Sequence, residues 1–270
     1  MKAHIKAAIY KFQDSVYQNP VRLDWVREKN FGDILNPVLC SLITDRPILH
    51  VNPLYYDKEY VSAIGSICGR ANKHTIIWGS GFISEDTSVI KPKDICAVRG
   101  PKTAEMFVNA NFNVPPIYGD PALLISRYYK PKIEKRYKIG LIPHYVDFNT
   151  EFVQYNKSKE DVKVINLINS DPLAIIRQML ECETILSSSL HGLIVPEAYG
   201  IKTKWIKISD NVIGGDFKFN DYYTSLKIEH EVPIKITGQP NILEFISETY
   251  IKDINLDLDK LMLACPFLEN

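Results

Sequence analysis

The residue types best placed to do chemistry lie together in Thr184-Ile-Leu-Ser-Ser-Ser-Leu-His191-Gly-Leu-Ile-Val-Pro-Glu-Ala-Tyr-Gly200. The pattern is a buried strand that breaks into Ser187, Ser188 and Ser189 and then opens a helix at Leu190 and His191. The N–H groups of a helix start lack internal partners, and the helix dipole favours an anion in front of them. His191 adds a titratable imidazole in the same turn. An anion cradle with a built-in proton carrier is half of an active site for a phosphorylated substrate.

Four other loops carry unusual chemistry. In Asn30-Phe-Gly-Asp33-Ile-Leu-Asn36-Pro, Gly32 permits close backbone approach, while Asn30, Asp33 and Asn36 offer polar groups. The same residues also read as a helix cap and a turn. In Trp78-Gly79-Ser80-Gly81-Phe82, backbone N–H groups around Gly79 and Ser80 are available to a ligand, without the full dinucleotide spacing. Arg99 ends a strand just before the helix start Gly100-Pro101, and its planar fork suits phosphate or carboxylate. His144, in Ile142-Pro-His-Tyr-Val-Asp147, either contacts a substrate or caps the sheet. His4, His50, His74 and His230 have no acidic or cysteine neighbours at ligand spacing. No metal and no cofactor are expected.

The elements that must position these residues alternate. Strands are predicted at Ala7–Tyr10, Ile48–Val51, Thr75–Trp78, Ile95–Val98, Ile139–Ile142, Val162–Leu167, Thr184–Leu186 and Lys204–Ile208. Amphipathic helices are predicted at Ile34–Thr44, Tyr60–Arg70, Lys102–Asn109 and Pro172–Cys182. Asp33 is read as the cap of the first, with Pro37 in its first turn; Pro101 and Pro172 sit near the N1 position of later ones. Alternation of this kind gives an α/β fold with parallel sheets. A polar, charged stretch across Ser126–Lys138 divides the chain into an N-terminal Rossmann-like domain (1–130) and a C-terminal Rossmann-like domain (131–236). A C-terminal helical segment (237–270) is placed to pack back on the first. Ligands of open α/β sheets lie beyond the carboxyl ends of strands. Two such halves facing a central cleft would hold the ligand between them.

Composition narrows the partners. The 270 residues carry 32 Lys+Arg against 32 Asp+Glu, a balance that gives no sign of a nucleic-acid partner. The densest basic run, Lys130–Lys138, reads as a solvated linker. Five cysteines, widely spread and without a Cys-x-x-Cys pair, argue against a disulfide framework and for a reducing compartment. Met1–Tyr10 lacks the apolar core of a leader peptide, and no apolar run reaches the ~20 residues that span a bilayer. A cytoplasmic protein able to work at the inner face of a membrane is expected. Oligomeric state is not legible.

Six motifs together resemble the polysaccharide pyruvyl transferase family: Asn30-Phe-Gly-Asp-Ile-Leu-Asn-Pro, Trp78-Gly-Ser-Gly-Phe, Val98-Arg-Gly-Pro-Lys-Thr, Gly119-Asp-Pro-Ala-Leu-Leu, Ile142-Pro-His-Tyr-Val-Asp and Ser187-Ser-Ser-Leu-His-Gly-Leu-Ile. They stand in the family's order, and Gly214–Tyr223 resembles the loop and helix that follow the last strand. The resemblance implies two Rossmann-like halves like those of GT-B glycosyltransferases. It implies phosphoenolpyruvate as donor and, as acceptor, a sugar of a bacterial surface polysaccharide (capsule or exopolysaccharide) or its lipid-linked precursor. The product would be a cyclic pyruvate ketal, with phosphate released.

On that reading His191 is the general acid/base. Arg99, Ser187, Ser188, Ser189, Leu190 and Lys218 bind the donor. Asn30, Asp33, Asn36, Gly79, Ser80 and His144 face the acceptor. One position departs from the pattern: many family members carry arginine directly before the Leu-His pair, where this chain has Ser189. Lys218, Lys207 and Arg177 are the alternatives for the missing cation. Two rival functions stand beside this one. The first is a nucleotide-sugar glycosyltransferase on the same architecture. The second is a non-catalytic sugar-binding partner, with Trp205, Phe217, Phe219, Tyr222 and Tyr223 either stacking on sugars or filling the core.

Overall fold

The computed structural model describes residues 9–10, 12–13, 15–27, 30–168 and 171–268. Two five-stranded sheets, both wholly parallel, account for the strands. The first contains β1 (Val21–Asp24), β2 (Ile48–Val51), β3 (Tyr60–Ser62), β4 (Thr75–Trp78) and β5 (Asp94–Ala97) in the order β2-β1-β3-β4-β5. The second contains β6 (Tyr137–Ile142), β7 (Val162–Val164), β8 (Cys182–Ser187), β9 (Lys202–Lys207) and β10 (Ile234–Lys235) in the order β10-β9-β8-β6-β7. Counted from its own first strand, each half has the same order, 2-1-3-4-5. Each therefore reverses direction once, between β1 and β3 in one half and between β6 and β8 in the other. The fold is mixed α/β with two Rossmann-like halves.

Helices α1 (Phe31–Ile43) and α2 (Pro101–Asn109) belong to the first half, and the short α3 (Ile125–Tyr128) leads towards the second. The second half carries α4 (Glu151–Lys157), α5 (Pro172–Leu180), α6 (His191–Ala198) and α7 (Phe217–Ser225). The last helix, α8 (Leu258–Leu263), returns to the first half. There the indole N–H of Trp78 donates to the Leu261 carbonyl at 2.8 Å, and Phe267 meets the Trp78 ring edge-on at 5.5 Å. α1 also packs on α5. One continuous core thus includes Leu23, Leu35 and Trp78 of the first sheet's layer with Ile142, Ile175 and Leu193 of the second. Burial on this scale, at about 25 cal/mol per Å² of apolar surface, is what holds the halves together. Among the described residues no helix is long and apolar enough to cross a membrane.

Several sequence expectations are corrected. Ile9 and Tyr10 are helical, not extended, while residues 1–8, with Ala7, Ala8 and most of the stretch read for a leader, lie outside the described residues. The true first strand is Val21–Asp24. Its alternate residues Arg22 and Asp24 are buried although polar, and Asp24 is held by Arg70 at 2.8 Å. That polarity disguises a central strand, which normally reads as a continuous apolar run. Tyr60–Arg70 is not a helix: it is β3, a loop through Gly65 at φ +114°, and a 3₁₀ turn at Cys68–Arg70. The C-terminal segment is mostly irregular, with a 3₁₀ stretch at Ile242–Glu248 before α8.

α1 starts earlier than expected, with Asn30 at the N-cap and Asp33 inside the first turn, so Pro37 lies within the helix. Proline cannot donate to the carbonyl four residues back, which here is that of Asp33. The side-chain amide of Asn36 takes over, donating to the Asp33 carbonyl at 3.2 Å.

Candidate active site

Both strand-order reversals open onto one cavity of about 170 Å³. Val26, Asn30 and Asp33 line it from the chain after β1, and Gly65, Ser66 and Ile67 from the chain after β3. His144 and Tyr145 follow β6, and Ser189, Leu190 and His191 follow β8. Ile83, Ile213 and Lys218 complete the wall. Carboxyl ends of strands at an order reversal are where open α/β sheets bind ligands, because the two flanking loops diverge and leave space. Here two such places face each other.

His191 is the first residue of α6, and its side chain is 12% exposed. Its Nε2 lies 3.4 Å from Oδ2 of Asp120, a carboxylate with no solvent exposure. Its other face lies against α1: a β-carbon on Gly32 would come within 2.2 Å of Nδ1 of His191. Only glycine at this position lets the first turn of α1 and the imidazole share the space. The ring is thus clamped between residues of the first half while its backbone belongs to the second.

Ser187 and Ser188 are corrected from donor ligands to scaffold. The Ser187 hydroxyl donates to the Ile142 carbonyl at 2.9 Å and accepts from the Ser189 N–H at 2.9 Å. Ser188 Oγ accepts from the His144 N–H at 2.8 Å and donates towards Asp147 at 3.4 Å. The backbone N–H of Ser188 donates to the Ile142 carbonyl. These bonds tie the turn after β8 to the turn after β6. Among the described residues, the N–H groups of this turn without a backbone partner are those of Leu190, His191 and Gly192, since Leu193 and Ile194 donate to the Leu190 carbonyl; Ser189 lines the cavity beside them.

Of the three cations left open by Ser189, Lys218 alone lines the cavity. Lys207 is engaged by Asp210 at 2.9 Å and Asp216 at 3.5 Å, and Arg177 by Tyr129 and Asp171. Burial, with a smaller contribution from the charge of Arg99, pulls the Lys218 ammonium down to about 8. His144 has a place in both the cavity wall and the local turn. It lines the cavity, and its Nδ1 accepts from the Val146 N–H at 3.5 Å to cap the turn at Tyr145–Asp147. Burial first and Lys218 second hold its imidazole down at about 4, so it is neutral near pH 7.

Arg99 is corrected more sharply. It has no exposed surface, and its fork is filled: Nε donates to Asp221 Oδ2 at 2.9 Å, Nη1 to Ser66 Oγ at 2.7 Å and Nη2 to the Phe82 carbonyl at 2.7 Å. Asp221 also accepts from the N–H and hydroxyl of Thr103 at 2.9 and 2.7 Å. A carboxylate on α7 therefore caps the first turn of α2. Arg99 reaches the cavity only through Ser66, whose hydroxyl hydrogen is left for a ligand.

On the acceptor side, Asn30 and Asp33 line the cavity, but Asn36, Gly79 and Ser80 do not. Asn36 is fully buried, exchanging bonds with the backbone of Ile64 at 2.9 and 2.8 Å. Gly79 packs beneath Pro121, and Ser80 bonds to Ser62 inside the sheet. Sequence reasoning gave no role to Asp120 or Ser66. Asp120 stands in a quoted motif, and only its contact with His191 reveals it. Ser66 was hidden by the misread helix. The aromatic residues Trp205, Phe219, Tyr222 and Tyr223 are core; the first two stack at 4.4 Å.

The sequence matches the profile of the polysaccharide pyruvyl transferase family over residues 30–210. It is 29% identical over 214 residues to the uncharacterized protein L143 of Acanthamoeba polyphaga mimivirus, covering 77% of this chain and 74% of that protein. It is 27% identical over 230 residues to the succinoglycan biosynthesis protein ExoV of Rhizobium meliloti, covering 79% and 67%. A functionally uncharacterized Klebsiella pneumoniae protein of known structure superposes with a TM-score of 0.48 at 13% identity, over 86% of this chain and 98% of that one. The profile match takes in α1 from its N-cap and the loops after β3, β6 and β8, and the chain belongs to the polysaccharide pyruvyl transferase family.

Proposed function

We propose that this enzyme transfers pyruvate from phosphoenolpyruvate to two hydroxyls of a sugar, as a cyclic ketal. The observation that carries the reading is the pairing of His191 with Lys218 on one cavity, beside the α6 N-terminus. A cation and a helix start suit an anionic donor, and an imidazole suits proton transfer near neutrality.

The chemistry requires one proton on the methylene carbon of the donor, which makes C2 electrophilic. A sugar hydroxyl adds to C2 and the C2–O bond to phosphate breaks. A second hydroxyl then closes the ring. Of the two hydroxyl protons released, one balances that taken by the methylene and the other leaves with phosphate. His191 delivers and recovers protons. Lys218, Ser66 and the N–H groups of Leu190, His191 and Gly192 hold the donor anions. Asn30 and Asp33 of the first half and His144 of the second orient the sugar.

The two halves, with boundaries near residues 130 and 236, are read as GT-B-like lobes about this cavity. ExoV, named for succinoglycan biosynthesis, supports an acceptor destined for a surface polysaccharide. We place the reaction in the cytoplasm, at the membrane face when the acceptor is lipid-linked.

The test is release of inorganic phosphate from phosphoenolpyruvate that depends on an added oligosaccharide or lipid-linked acceptor. The acceptor's mass should rise by one pyruvate ketal. Thermal stabilisation by UDP or GDP but not by phosphoenolpyruvate would instead favour the nucleotide-sugar reading.

A further inference from the structure

We propose that Asp120 is a positioning residue for His191: it holds the proton on Nε2 and leaves Nδ1 as the nitrogen that exchanges protons with the substrate. The inference rests on the acid/base role given to His191 above and names the atom and the partner through which it acts.

Asp120 divides its two oxygens between two tasks. Oδ1 accepts from the Ala122 N–H at 2.9 Å and caps the 3₁₀ turn Pro121–Leu124. That bond serves the fold. Oδ2 has no hydrogen-bond partner among the described residues, although it is enclosed, and it lies 3.4 Å from Nε2 of His191. Nε2 is enclosed as well and has no other partner. Two buried polar atoms without alternatives, aimed at each other, are costly unless they bond to one another.

A carboxylate can only accept, so the nitrogen opposite it must carry the hydrogen. The separation is slightly long for an N–H···O bond, and bonds of this kind tighten when substrate closes the site. His191 lines the cavity with 12% of its side chain exposed, and of its two ring nitrogens only Nε2 is an enclosed atom without a partner, so Nδ1, at the edge of the ring that meets Gly32, is the nitrogen left for a substrate. A fixed tautomer matters because an imidazole presenting N–H where a base is needed cannot take a proton.

The experiment uses the full chain with ¹⁵N-labelled histidine, assigning His191 by the signals that vanish in His191→Gln. In the wild type the neutral ring should carry its proton on Nε2. Asp120→Asn keeps the cap, since asparagine caps as well as aspartate. It turns an amide N–H towards Nε2, so the proton should move to Nδ1. With phosphoenolpyruvate and acceptor, kcat should fall at least about a hundredfold while the donor KM stays within about threefold.

A wild-type ring protonated on Nδ1 overturns the proposal without any variant, and so does an unchanged tautomer in Asp120→Asn. If the wild type shows no acceptor-dependent phosphate release, the donor reading above fails. The tautomer comparison still decides the role of Asp120, because it does not depend on turnover.

Discussion

Arg99 and Asp221 form an ion pair of 2.9 Å, with neither side chain exposed, between the strand end that leads into α2 and the helix α7 of the other half. Gly81 leaves room for the guanidinium, and Gly100 lets the α7 backbone approach. Removing one partner of such a pair strands a buried charge, at a cost of about 3–5 kcal/mol. Asp221→Asn and Arg99→Met should each lower stability by that order in denaturant unfolding. The double change to Met and Leu should lose less than the two singles combined. A selective rise in donor KM with full stability in Arg99→Met would show that Arg99 acts as a ligand after all.

His191→Ala should keep the melting temperature within a few degrees and lose acceptor-dependent phosphate release by at least about a hundredfold. Near-normal turnover in the folded variant would remove His191 from the chemistry.

Gly32→Ala is a steric test of the same residue. Alanine is the better helix former by up to about 1 kcal/mol, but its β-carbon lies in the space occupied by the imidazole, and overpacking of this kind costs about 1–3 kcal/mol. Turnover should drop at least about tenfold, with a net loss of stability of no more than about 2 kcal/mol as the ring is displaced. Full activity would mean that the ring need not stand where it does.

Lys218 is a cation below about 8 and neutral above it. Donor KM should therefore rise as pH passes 8, because the free enzyme loses the charge that holds the anion. In Lys218→Met the KM should be raised by about tenfold or more at neutral pH, since a bond to a charged group contributes about 1.5–3 kcal/mol. The alkaline rise should also disappear. Parallel pH profiles for the two proteins would assign the donor's charge partner elsewhere.

Glu197 is fully buried at the far end of α6, accepting from Thr203 and Tyr222 at 2.6 Å each and from Tyr223 at 3.3 Å. Burial raises its carboxyl from 4.5 to about 7, against the pull of these donors and of Lys252. The folded state holds this proton more tightly than the unfolded one. Its contribution is thus complete below pH 4.5 and fades as pH climbs through about 7. Glu197→Gln should flatten the fall in stability between pH 5 and 7, as read from unfolding midpoints. An unaltered slope would show that another group titrates there.

How legible all this was depended on where each residue's partner lies. β8 stood out because Thr184-Ile-Leu is apolar and leads straight into a helix start, so His191 was visible from local pattern alone. β1 was missed because Arg22 and Asp24 make it look like surface, and β3 because Tyr60-Val-Ser fits either period. Arg99 had the right chemistry and position for an anion ligand. Only Asp221, far along the chain, shows that its fork is already full. Asp120 and Ser66 draw their meaning from contacts with residues distant in sequence, which no spacing records. Lys218 was one of three alternatives until the fold placed the other two elsewhere.

α7 begins in the second half and packs on α2 of the first, while α8 and Phe267 close over Trp78. Each half is thus finished by a piece of chain borrowed from beyond the linker. A fragment ending near residue 236 would bare the indole, and one beginning near 131 would leave Asp221 without its guanidinium. The protein should therefore melt in a single cooperative transition rather than lobe by lobe.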